Sequence, residues 1–280
     1  MPALPLTVHA EQTESADPHF IKLEAAQRLS DIGEQLAQKR VVYVGETHSA
    51  YRDHLVQLEL LRQLYNANPE MAIGVEWFHA RFQNHLDDYI QERISEKELL
   101  SRTEYYTRWR FDYRLYRPIM QFAREHGIPV IALNASKELI RAISSGGIDN
   151  LSDEMKKQLP SSYDFTNAAY GQKLKVVYDM HSERSSEFRW FHEAQLTWDE
   201  TMADNVAKYL DANSAHRMIV FAGSGHVTHR HGIPSRVQRR LDVNDATVLT
   251  FKDGQFDPGM ADFLVLAEAV ELPTQGKLGA

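Results

Sequence analysis

Four short motifs each place an ionisable or hydrogen-bonding side chain directly after an apolar run. Gly45-Glu46-Thr47-His48 follows Val41–Val44, Glu76 follows Ile73-Gly74-Val75, Asn134 follows Ile131-Ala132-Leu133, and Gly223-Ser224-Gly225-His226 follows Met218–Ala222. Histidine and glutamate in such positions can exchange protons near neutral pH or ligate a divalent metal. Glycine lets the chain turn sharply there and leaves backbone N–H groups free. Singly, each has a plain structural explanation: a hydrogen-bonded histidine, a capping glutamate, an asparagine turn. Their recurrence after successive runs argues for one shared site. Gln195, Asp199, Met202 and Val206 fall at helical intervals, which adds two polar groups from the first turns of a helix expected near Glu193. Asp199 and Glu200 could equally do no more there than favour the helix dipole.

The runs themselves are the elements that would position these groups. Val41–Val44, Ala72–Val75, Pro129–Leu133, Met218–Ala222, Thr247–Phe251 and Phe263–Ala267 read as strands, and helical patterns lie between most of them. Alternation of this kind predicts βαβ units, an α/β class and a mostly parallel sheet covered on both faces. In such sheets ligands bind beyond the carboxyl ends of the strands, which is where all four motifs fall. Two stretches break the alternation. Gln83 to Pro118 is helical but crowded with aromatics and arginines. Ala135 to Glu193 is a long helical excursion, expected over the C-terminal edge of the sheet as a lid or a small helical subdomain. The expected organisation is a tail or signal remnant over 1–17, one domain over 18–270 that includes the 135–193 excursion, and a tail over 271–280.

Composition narrows the function. Of 280 residues 43% are hydrophobic, enough for a sizeable core, and the formal charge of −8 argues against a general nucleic-acid binder. The cluster Arg236, Arg239 and Arg240 reads as a solvated helix face or a holder of acidic ligand groups. There is no cysteine, so disulfides, thiolate metal sites and cysteine nucleophiles are excluded. No apolar stretch approaches the ~20 residues of a transmembrane helix. Val8-His9-Ala10 followed by a polar stretch has the look of a processed signal end, though a frayed tail accounts for it as well.

Taken in order, GETH (45–48), VEWF (75–78), YYTRWRFDYRLYRPIM (105–120), ALN (132–134), QLTWDETMADNV (195–206) and GSGHVTHRHGIPSR (223–236) resemble the ChaN-like family of haem-binding, iron-regulated bacterial proteins. That family sits in a superfamily with erythromycin esterases and Tiki-type proteases. The resemblance covers roughly residues 38–241. It implies a three-layer α/β/α fold, a role in bacterial iron or haem uptake with a haem receptor or transporter as partner, and an address in the periplasm or cell envelope. The family often uses a lipoprotein anchor, for which this sequence has no cysteine.

A haem site would take its axial ligand from histidine, methionine or tyrosinate here, and tyrosinate suits hard ferric iron. Tyr170, Tyr178 and His181 lie close together in the excursion, with Lys173, Lys175, Arg184 and Arg189 near enough in sequence to meet propionates. The plain alternative is an amphipathic helix whose tyrosines pack with Val176, Val177 and Met180. A flat apolar ligand shielded by two copies predicts a homodimer when loaded. The competing reading is a metal-dependent hydrolase, in which Glu46, His48 and His226 hold a divalent metal or activate water.

Overall fold

A computed structural model describes residues 28–180, 187–251 and 257–273. His181, Arg184 and the expected N-terminal tail lie outside the described residues, as do the last seven residues of the expected C-terminal tail. Six strands form one sheet: β1 (Val41–Glu46), β2 (Met71–His79), β3 (Val130–Asn134), β4 (Arg217–Gly223), β5 (Asp245–Thr250) and β6 (Phe263–Val265). Their order across the sheet is β3-β2-β4-β1-β5-β6, and every pairing is parallel. The sheet is therefore wholly parallel, and its central strands are near-continuous apolar runs because both faces are covered.

Successive side chains divide between the two faces. Val42, Val44, Ile73, Val75, Ile219, Phe221 and Val248 enter one core, and Val41, Tyr43, Ala72, Met218, Val220 and Ala222 enter the other. On the first face lie α1 (Leu29–Leu36), α2 (Tyr51–Ala67), the short α3 (Gln83–Ile90), α4 (Glu96–Arg102) and α5 (Tyr105–Arg108), and α6 (Tyr113–Glu125). The aromatic-arginine stretch thus becomes a set of short helices whose tyrosines fill a core. Tyr89, Tyr105, Tyr113 and Tyr116 are all at most 3% exposed.

The excursion between β3 and β4 holds α7 (Lys137–Gly146), α8 (Asp153–Lys156) and α9 (Ala168–Asp179) before α10 (Phe188–Ala212), which covers the second face with α11 (Ile233–Arg240). Because α10 starts at Phe188, not near Glu193, Gln195 and Asp199 stand further along it than expected. Asp199 and Glu200 are fully buried, so neither acts as a solvated first-turn residue. Arg236, Arg239 and Arg240 also depart from the expectation. Glu200 Oε1 takes Arg236 Nε at 3.2 Å and Oε2 takes Arg239 and Arg240 at 2.7 Å each. The same Oε1 accepts the Asp164 N–H at 2.7 Å. The arginines clamp the buried Glu200 between α10, α11 and the loop before α9, with Arg236 buried and Arg239 reaching in from the surface.

The helices after β1 and β2 lie on one face and those after β3 and β4 on the other. The chain leaves β1 in one direction across the sheet and β4 in the opposite one, although these strands are neighbours. A crevice opens at their carboxyl ends, and in doubly wound sheets that is where ligands bind.

Candidate functional site

Glu46 ends β1 and is buried. The His48 Nδ1–H donates to its Oε1 at 2.8 Å, and the Tyr116 hydroxyl donates to the same oxygen at 3.2 Å. Oε2 lies 2.9 Å from His54 Nδ1. Burial alone would raise the Glu46 carboxyl, but the hydrogen bonds and charges of His48 and His54 hold it down at about 2. His54 faces oxygens on both ring nitrogens, with the His48 carbonyl 3.2 Å from Nε2. Such surroundings favour the doubly protonated ring, and its pKa is raised against the pull of burial. The His48 ring rests on Trp109 and Phe111, each with centroids 4.8 Å away. Its pKa is raised too, since the hydrogen bond to Glu46 and the nearby Glu76 charge outweigh burial.

Across the crevice the arrangement repeats. His226 Nδ1–H donates to Asp199 Oδ1 at 2.7 Å, and its Nε2 lies 3.4 Å from Glu76 Oε1. Burial disfavours the imidazolium, but the two carboxylates prevail and push its pKa up to about 10. Glu76 Oε2 accepts the Gly223 N–H at 2.6 Å, and the Glu76 carboxyl is held below its usual range although burial would raise it. Asp199 Oδ2 accepts the Tyr170 hydroxyl at 2.6 Å. Gly223 is required here: a β-carbon on it would stand 2.8 Å from His48 Cε1 and 3.6 Å from Glu76 Oε2. That closeness also measures how tightly the two histidine–carboxylate pairs meet around Glu76.

The strand-end residues therefore converge. Glu46, His48, Glu76, Asp199 and His226 form one group, and Asn134 joins it by donating Nδ2–H to the Glu76 carbonyl at 2.9 Å. Gln195, one helical turn before Asp199 on α10, is half-buried, and its side chain makes no hydrogen bond among the described residues. Among those residues no three histidine, aspartate or glutamate side chains are arranged to hold a metal ion. Glu46, named with His48 and His226 as a metal set, turns its oxygens to histidines and a tyrosine.

Of the candidate haem ligands, Tyr170 is 2% exposed with its hydroxyl committed to Asp199. Tyr178 is half-buried against Phe188 and Phe191. Of the candidate propionate partners, Lys175 pairs with Asp179, and Arg189 with Asp149 and Glu193. Lys173 makes no ion pair or hydrogen bond among the described residues.

Sequence reasoning missed His54, Tyr116 and the walls Trp109 and Phe111. His54 lies one turn into α2, where histidine reads as an ordinary helix residue. The aromatics sat in a stretch noted for its crowding but not connected to GETH. After β4, His229 and Arg230 both adopt left-handed backbone, at φ 57° and 61°. Two such non-glycine residues in succession carry strain of the kind that collects beside binding sites.

Known proteins place this architecture. The chain is 24% identical over 263 residues to the chloroplastic protein RETICULATA-RELATED 5 of Arabidopsis thaliana, a match covering 83% of this chain and 35% of that protein. It thus spans about a third of that relative's length. Among solved structures it is similar to ChaN of Campylobacter jejuni, described with cofacial haem binding, at a TM-score of 0.64 and 19% identity over 84% of this chain and 89% of that one. An erythromycin esterase, EreC, is more distant, with a TM-score of 0.47 and 12% identity over 79% and 72% of the two chains. The family model described as haem-binding uptake, Tiki superfamily, ChaN, matches residues 32–237, a span that begins in α1 and takes in both histidine–carboxylate pairs. The chain belongs to that family.

Proposed function

We propose that this protein binds ferric haem on the outer face of α9 and serves in haem or iron uptake. The observation that carries this is an exposed apolar surface: Val176, Val177 and Met180 are 54%, 37% and 75% exposed, at spacings that put them along one side of the helix. The cavity at the strand ends measures about 250 Å³, below the roughly 300–1,000 Å³ of pockets that enclose drug-sized ligands. A haem fits the open face and not the cavity. When bound, the group supplies a Lewis-acidic iron that one protein side chain ligates.

The ligand is sought among Tyr170, Tyr178 and His181. Asp199 holds the first, and the second packs towards α10, away from Met180. His181 follows Met180 directly in the chain. A plate lying on an open helix face leaves its other side wet, so a second copy closing over it supports a homodimer in the loaded state. The same reading puts the protein where haem is taken up, in the periplasm or cell envelope. No helix among the described residues is long and apolar enough to cross a membrane. The test is a hemin titration followed by the Soret band for wild type, Tyr170→Phe, Tyr178→Phe, His181→Ala and Met180→Glu. Saturable binding weakened at least tenfold by Met180→Glu is expected, and no binding by wild type would end the proposal. Fractionation of expressing cells tests the address, and a wholly cytoplasmic product refutes it.

One observation favours a second reading, hydrolysis. His48 has Nδ1 fixed by Glu46 while Nε2 has no hydrogen-bond partner among the described residues, the arrangement of a general base. His226, held protonated between Asp199 and Glu76, would stabilise developing negative charge beside it. Ester hydrolysis lost in both His48→Ala and His226→Ala would support this reading, and its sensitivity to chelators would tell whether a divalent metal takes part.

A further inference from the structure

At the carboxyl ends of β1 and β5 a cavity is lined by Thr47, Lys173 of α9, Ser224, Gly225 and Thr250, among others. Its volume of about 250 Å³ equals roughly eight waters at ~30 Å³ each. Its polar groups are unbalanced. Lys173 is the only lysine or arginine among the lining residues and has no ion-pair partner among the described residues. The hydroxyls of Thr47 and Thr250 are buried with no hydrogen-bond partner.

The carboxylates on the wall do not answer these donors. Glu46 is held by His48, His54 and Tyr116. Asp53 accepts the Thr47 N–H at 2.8 Å through Oδ2 and pairs with Arg52 through Oδ1. Burial lowers the pKa of the Lys173 ammonium although the Asp199 charge favours it, and Asp199 is already bonded to His226 and Tyr170. An ammonium drawn partly out of water without a bonded counter-ion is costly, as are hydroxyls without acceptors. Surplus donors around one cation call for a small acceptor-rich anion.

We propose that this cavity is an oxyanion subsite, taking a carboxylate or phosphate group with Lys173 as its counter-charge. The group has two sources. One is a free small acid that fits the cavity whole. The other is the carboxylate edge of a haem seated on α9, because Lys173 precedes Val176, Val177 and Met180 on the same side of the helix by three, four and seven residues. The second source rests on the haem reading and the first does not.

The test is calorimetric titration of the full chain with inorganic phosphate, succinate, hemin and hemin dimethyl ester. Wild type is compared with Lys173→Met, Thr250→Val and, as a control for bulk charge, Lys175→Met. Lys173 is half-exposed and Thr250→Val conserves shape, so both variants should fold. For a free acid, phosphate or succinate binds wild type, and Lys173→Met weakens it at least tenfold while Lys175→Met does not. For the haem edge, Lys173→Met weakens hemin at least tenfold and leaves the dimethyl ester unchanged. The proposal is overturned if phosphate and succinate fail to bind and hemin affinity ignores both Lys173 and esterification. It is equally overturned if Lys175→Met has the same effect as Lys173→Met. Hemin binding that survives either result leaves the haem reading standing, and succinate binding without hemin binding ends that reading alone.

Discussion

His226 carries its proton because two carboxylates face it. Folded, its pKa is about 10, against an unfolded value of about 6.5. A raised folded pKa contributes stability that is fully present below the unfolded value and lost as pH climbs through the folded one. His48 and His54 shift the same way. Glu46, held at about 2, contributes above its ordinary range and loses that contribution as pH falls towards 2. His79 runs against the other histidines: burial and the arginines Arg108 and Arg81 hold it down to about 4, so it penalises the folded state as pH drops below about 6.5. Thermal melts across pH should therefore show stability falling between about 6.5 and about 10, with a shallower fall in His226→Ala. Equal slopes for the two proteins would mean that His226 is not charged in the fold.

A second consequence at this scale concerns Tyr170. Its hydroxyl bonds a buried carboxylate, so Tyr170→Phe should cost about 1.5–3 kcal/mol in denaturant unfolding and leave the hemin spectrum as in wild type. A changed Soret band would make Tyr170 a ligand after all. The sequence announced the histidines and glutamates of this site because each follows an apolar run. It did not announce their partners. Tyr116, His54 and Tyr170 come from three different helices and meet the site only through tertiary packing, which leaves no mark on local spacing.

At the level of elements, all six strands were readable in the sequence because a buried parallel strand is a short apolar run, and a turn or polar motif closes each. Helix starts were less readable. The sequence places α10 near Glu193, five residues late, because its first turn, Phe188 to Phe191, mixes aromatics and arginine and looks like the excursion before it. The same error hid the clamp: Glu200 looked like a solvated first-turn residue when it is the buried centre of three arginines. Glu200→Gln leaves those guanidinium groups without that carboxylate. It should cost about 3–5 kcal/mol and lower Tm by roughly 10 °C, measured by calorimetry. A loss under about 1 kcal/mol would show that Asp204, which also meets Arg240, suffices for the whole cluster.

For the whole molecule, the proposed haem face has one side only. Light scattering should give a monomer without hemin and a dimer with it, and Met180→Glu should keep the protein monomeric in both conditions. A monomer at saturating hemin would refute the closing of two copies over one face. Whether a second copy is needed was not legible in the sequence, since tyrosine and arginine enrichment fits interiors as well as interfaces. The structure puts Tyr89, Tyr105, Tyr113, Tyr116 and Tyr170 inside and leaves the described arginines of those stretches at or near the surface.

The strand order has a consequence in time. β1 pairs with β4 and β5 alone, Val41 opposite Met218 and Asp245, so the first strand made has no strand partner until nearly the last are made. At about 5–20 residues per second, that segment waits on the order of ten seconds or more after its own synthesis. β2 and β3 can pair meanwhile, and α9 is complete before β4 exists. An apolar β1 edge and the apolar side of α9 are then exposed together on a nascent chain, with His226 not yet made to pair with Asp199 and Glu76. Whatever guards the chain during that interval must cover both surfaces, and the arrival of β4 releases one of them.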